Sequence, residues 1–167
     1  KIASCLNNIG IVYYDMGKNE LALEHYFKSL EIKQQLDDKH GIAVTTNNIA
    51  LSYIDLLELN KSSSPGKEIM YFGSYEYIIQ LLLEAAALAE EIGNNQDLSN
   101  TYSSLILAYA NNEQFEQAVI FQEKVLLLND SIFTIEKNKD LIEIQARFEA
   151  DQKQQQIEKG MSKINCY

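Results

Sequence analysis

The 167-residue sequence has a single proline, Pro65, and seven glycines, no tryptophan, two cysteines and two histidines. With so few backbone breakers, helix is the expected conformation almost throughout, because Pro and Gly are the residues a helix interior tolerates least. Cys5 and Cys166 stand near opposite ends without ligand-like spacing, which argues against a disulfide framework and against a thiolate metal site. No run approaches the roughly 18–20 consecutive apolar residues that a membrane span requires. The absence of an initiating Met and of a signal peptide leads to the expectation of a segment from a longer protein.

Chemistry-bearing patterns are equally scarce. No His-x-x-x-His pair, paired cysteines or Gly-rich phosphate loop occurs. The stretch SSSPG lacks the Gly-Lys-Ser/Thr ending of a phosphate loop and reads as a linker. His25 falls midway along a helical run and His40 in a polar turn beside Gly41, places where neither needs a catalytic or ligand role. Contact between Cys5 and His25 is imaginable, but nothing in the pattern supports a nucleophile–base pair. The expectation is a non-enzymatic segment with no cofactor and no metal.

Acidity and repetition are what the chain does have. The formal net charge is −10, carried by residues 1–130, which hold 8 Lys/Arg against 18 Asp/Glu; residues 131–167 hold 6 of each. An acidic body disfavours nucleic acid, whose affinity comes largely from basic contacts to phosphate. Apolar residues make up 46% of the chain, enough for a core. They recur at helical spacing: Ile2, Leu6, Ile9 and Tyr13, then Gly17 as a turn, then Leu21, Ala22, Tyr26, Leu30 and Ile32. A polar break, QLDDKHG, follows.

The same frame returns downstream. Ala43, Ile49, Ala50 and Tyr53 align with Ala3, Ile9, Gly10 and Tyr13, and a third copy places Ser99, Leu105, Ile106 and Tyr109. Its second helix puts Ala118, Leu126 and Leu128 where the first has Ala22, Leu30 and Ile32. The unequal spacing is reconciled by one insertion, residues 59–74, LNKSSSPGKEIMYFGS, after which Ile78, Leu82, Ala85, Ala86 and Leu88 resume the second helix of the second unit. Within the insertion, Met70, Tyr71 and Phe72 are expected to extend that helix. The expected units are 1–38, 40–93 and 97–129, with 131–167 as a C-terminal element. The small residue at position 10 lets two helices approach closely, with Tyr13 expected to fill the gap beside it.

The pattern through Ile9, Gly10, Tyr13, Gly17, Ala22, Tyr26, Ser29 and Leu30 resembles the tetratricopeptide repeat. Unit two departs from it through its insertion and Ile78, unit three through Ile106 and Gln122, and none ends in the repeat's frequent Pro. The resemblance implies an all-α solenoid of three helical hairpins that binds a protein or peptide in a concave groove formed by the first helix of each hairpin. Carried over, the groove residues are Ser4, Asn7, Asn8, Ile11, Tyr14 and Asp15; Val44, Asn47, Asn48, Leu51, Ile54 and Asp55; and Asn100, Ser103, Ser104, Leu107, Ala110 and Asn111. Asn8 and Asn48 stand where related repeats hold a peptide backbone, an amide offering both donor and acceptor. Helix packing or local capping is the other reading of these asparagines. Ile11, Leu51 and Leu107 form an apolar stripe, open to a partner, to the C-terminal helix or to a second protomer. No Lys or Arg joins them, so a clamp for a chain-terminal carboxylate is not expected.

Residues 131–164 place Ile132, Ile135, Leu141, Ile142, Ile144 and Phe148 on an amphipathic helix, without a sustained heptad. This helix either caps the last repeat or serves as a signalling stalk, where a homodimer through 131–164 is possible. The tail resembles the segment after the repeats in certain bacterial sensor histidine kinases and helix-turn-helix regulators. That resemblance implies a sensory or regulatory segment, extracytoplasmic if it holds. The alternatives are a passive assembly scaffold and the regulatory arm of a DNA-binding protein whose DNA contacts lie elsewhere.

Overall fold

The computed structural model describes residues 1–62 and 74–164. Pro65, Met70, Tyr71, Phe72 and Cys166 therefore lie outside the described residues. In chain order the helices are α1 (Ile2–Asp15), α2 (Asn19–Gln35), α3 (Lys39–Ser62), α4 (Tyr75–Glu91), α5 (Asn95–Asn111) and α6 (Phe115–Ile164). No strand occurs among the described residues. The architecture is an all-α solenoid, with α1/α2, α3/α4 and α5/α6 as its hairpins. Two compact units divide the chain, Lys1–Leu128 and Asn129–Tyr167.

In the first unit each helix packs on the next from α1 to α5, and the first helices of successive hairpins also meet, α1 with α3 and α3 with α5. The core runs through all three hairpins: Ala22 and Tyr26, Ile49, Ala50 and Ile54, Ile78 and Leu82, Leu105 and Ala108, then Ala118 and Phe121. These are largely the positions the repeat pattern marks. Ala22, Ile78 and Ala118 are equivalent places in the three hairpins and all three are buried.

Every inter-helix turn described closes the same way. Gly17 and Gly93 sit at φ +69°, and so, less comfortably, do Asp37 at 51° and Glu113 at 60°. In each case the next amide returns to a carbonyl five residues back: Lys18 to Tyr13 at 2.9 Å, Asp38 to Lys33 at 3.0 Å, Asn94 to Ala89 at 2.9 Å and Gln114 to Tyr109 at 2.8 Å. This closure needs a left-handed residue, which glycine adopts freely and acidic residues only against steric resistance.

Several sequence-based expectations are corrected. The ring that fills the space at Gly10 is Tyr26, not Tyr13: a Cβ on Gly10 would lie 2.5 Å from Tyr26 Cε1. Tyr13 is only partly buried and faces His25, ring centroids 5.2 Å apart. His40 is not in a turn but in the first turn of α3, where its Nδ1 pairs with Asp97 Oδ2 at 2.7 Å. Helix α3 continues through Ser62, four residues into the expected insertion, because nothing before Pro65 opposes helix. Helix α6 runs unbroken from the third hairpin to Ile164, since its single glycine is the only breaker in that span.

The described part of the second unit, residues 129–164, is helical. Phe133, Ile135 and Ile142 are exposed on it, and Ile132 is partly buried. No helix among the described residues is long and apolar enough to cross a membrane.

Candidate functional site

The face shared by α1 and α3 is organised by a chain of buried polar groups. Lys33, on α2, is 5% exposed. Its Nζ donates to the Gly41 carbonyl at 3.2 Å and to Thr45 Oγ1 at 2.6 Å. Thr45 donates in turn to Asn7 Oδ1 at 3.1 Å, which also accepts from Asn48 Nδ2 at 3.3 Å. An ammonium is donor only, so Lys33 donates in both of its bonds, and the Asn7 oxygen accepts from both Thr45 and Asn48. The arrangement orients the Asn48 amide: one N–H is spent on Asn7, leaving the carbonyl oxygen and the second N–H. Burial pushes the Lys33 ammonium below its usual range, with Asp38 partly opposing the shift.

Beside Asn48 opens a cleft of about 230 Å³ lined by Ile11, Tyr14, Asp15, Tyr26, Asn48 and Leu51. Helix α1 supplies Ile11 and, one turn on, the adjacent Tyr14 and Asp15; α3 supplies Asn48 and Leu51, and α2 supplies Tyr26 from behind. Tyr26 reaches the cleft because Gly10 has no side chain to block its ring. Burial, and then the neighbouring carboxylate of Asp55, push the Tyr14 phenol up to about 12; Asp15 adds to the shift. Burial raises Tyr26 to about 12 as well, helped by Asp15 and Tyr14. Both phenols therefore stay neutral, and the cleft's negative charge resides on carboxylates alone.

The residues expected to face the groove fall into two groups. Ile11, Tyr14, Asp15, Asn48 and Leu51 meet at the cleft, with Asp55 beside Tyr14. Asn8 and Leu107 are exposed, and Asn111 is partly buried. Ser4, Asn100 and Ser103 are exposed too, whereas four others turn inward. Asn7 is buried in the polar chain, Ile54 is 1% exposed and belongs to the core, and Ser104 is buried with its hydroxyl donated to Asn100 O in its own helix at 3.3 Å. Asn47 is partly buried, and its Oδ1 is enclosed without a hydrogen-bond partner among the described residues.

Sequence reasoning missed Tyr26, Thr45 and Lys33 as parts of this face. A lysine interrupting the apolar side of α2 was the available signal. No cluster of His, Cys, Asp and Glu suited to a metal occurs among the described residues, and Cys5 is a free, exposed thiol.

Residues 1–64 match the family model described as tetratricopeptide repeat (TPR). No curated protein sequence matches the chain. Among solved structures, BtubC (BKLC) from P. vanneervenii superposes with a TM-score of 0.62 at 19% identity, over 78% of this chain and 47% of that one. The chain thus spans about half the length of BtubC. The TPR domain of Arabidopsis FLU superposes with a TM-score of 0.61 at 16% identity, over 77% of this chain and 95% of that domain. At such identities the likeness is one of fold: the helical hairpins are stacked as in a TPR array.

Proposed function

We propose that this chain recognises a protein or peptide through the face shared by α1 and α3. The observation that carries this reading is the cleft itself, where five groove residues expected from the repeat meet in one place. An apolar pair, Ile11 and Leu51, lies beside the Asn48 amide, whose nitrogen donates to Asn7. This combination suits an extended chain, with apolar side chains taken by the stripe and a backbone group by Asn48. Selection from a random-peptide phage library tests it. Enriched peptides are expected to bind wild type and to lose binding on Ile11→Glu, a change at an exposed position. Enrichment indifferent to Ile11→Glu, or none at all, overturns the reading.

The finer reading is that the segment is the sensory or regulatory part of a bacterial two-component protein. The tail pattern supports it, as do the unbroken helix beyond Leu128 and the apolar Phe133, Ile135 and Ile142 exposed there. Binding would bias the arrangement of residues 131–164, through which two copies associate. Light scattering on the full chain and on a truncation ending at Asp130 is expected to give a dimer and a monomer. Two monomers would overturn this role and leave a docking scaffold.

A further inference from the structure

The cleft between α1 and α3 carries a carboxylate, Asp15, and the phenol of Tyr26 in its lining. A second carboxylate, Asp55, lies beside the cleft against the Tyr14 hydroxyl, and no Lys or Arg lines it among the described residues. Tyr26 is only 1% exposed, and no described residue hydrogen-bonds its hydroxyl. Its oxygen is not one of the enclosed polar atoms that lack a partner; it opens on the cleft, where a ligand can donate to it. The volume is also informative. At about 230 Å³ the cleft is below the roughly 300–1,000 Å³ of small-molecule and cofactor pockets, and it suits one long side chain.

We propose that the cleft receives a lysine or arginine side chain from an extended basic segment of a partner protein, a proposal that rests on the peptide-recognition reading above. The aliphatic stem lies along Ile11 and Leu51, as long cationic side chains commonly do on apolar surface. The cationic head meets Asp15 and Asp55 and donates to the Tyr26 oxygen. The rings of Tyr14 and Tyr26 present faces that attract a cation. The Asn48 carbonyl oxygen, whose amide nitrogen is held by Asn7, accepts a further N–H. An acidic body of charge −10 draws such a partner in and repels acidic competitors.

The test uses nine-residue peptides of randomised flanks whose central residue is arginine, lysine, citrulline, norleucine or glutamate, read by fluorescence polarisation on the full chain. Citrulline keeps the shape of arginine and removes its charge. The arginine pool is expected to bind about tenfold or more tighter than the citrulline pool. That preference should vanish in Asp15→Asn/Asp55→Asn, and Tyr26→Phe should weaken arginine binding a few-fold at unchanged melting temperature. If the double variant fails to fold, the arginine–citrulline comparison on wild type decides alone. Equal binding of both pools, lost on Ile11→Glu, would overturn the cationic occupant while leaving peptide recognition intact. Preference for glutamate would also overturn it, and binding of no pool would sink both readings.

Discussion

At the junction of α2 with α3, a lysine is buried and donates into a chain of polar groups; at the equivalent junction of α4 with α5 the same place holds Ala89, fully buried beside Ala86 and Leu98. Thr45 and Thr101 are likewise equivalent and both buried. Thr45 bridges three helices' worth of side chains, whereas Thr101 donates only to Asp97 O in its own helix at 2.8 Å. Deeper in the hairpins, fully buried Leu82 stands where Tyr26 does. One backbone plan thus carries a polar junction and an apolar one. The apolar junction packs. The polar one also orients an amide toward a cleft, which buried apolar groups cannot do because they lack direction.

The comparison breaks most severely in the apolar half. Leu82→Ala leaves a cavity and should cost about 2–5 kcal/mol in urea unfolding, while Tyr26→Phe keeps its ring and should cost far less. Next in size is Gly10→Ala, whose methyl must displace the Tyr26 ring: a loss of about 1–3 kcal/mol is expected. The reverse change at the equivalent place, Ala50→Gly, should cost about 1–2 kcal/mol, helix propensity plus the loss of one buried methyl.

Thr45→Val removes an acceptor from buried Lys33 and a donor from Asn7, and should cost about 1–3 kcal/mol. Thr101→Val should stay under about 1 kcal/mol, since only a local bond within α5 is lost. Equal effects would erase the distinction between the junctions.

The smallest effect is a pH slope. Lys33 is held below its ordinary 10.5 in the folded chain, so the unfolded chain binds more protons between its folded value and 10.5. Stability therefore rises with pH through that window, and Lys33→Met should lack the rise. Denaturant midpoints of both proteins, taken as pH increases toward 10, measure the difference.

The hairpin frame was legible in the sequence because it rests on spacing. Ala22, Ile78 and Ala118 could be aligned across an insertion, and Gly17 marked its turn. Asp37 and Glu113 carry no such mark, because their left-handed backbone is imposed by the helices they join. The site was legible in outline. Asn7 and Asn8 are neighbours of one type on one helix, and only the face of small residues that Asn7 shares with Ala3 and Gly10 sets it apart as the buried one. Asn7 is buried because Thr45 and Asn48, some 40 residues on, approach it from α3. Ile54 lies in the core and Leu51, one turn before it, lines the cleft.

By itself the sequence determined which segments are helical and which residues recur, because periodicity and the lack of breakers act locally along the chain. Only the tertiary structure decided that Tyr26 fills the gap at Gly10, that Lys33 is buried, and that Asn48 turns its nitrogen toward Asn7. Each of these depends on the approach of a helix remote in sequence, and that approach decides which side of a helical turn loses its water.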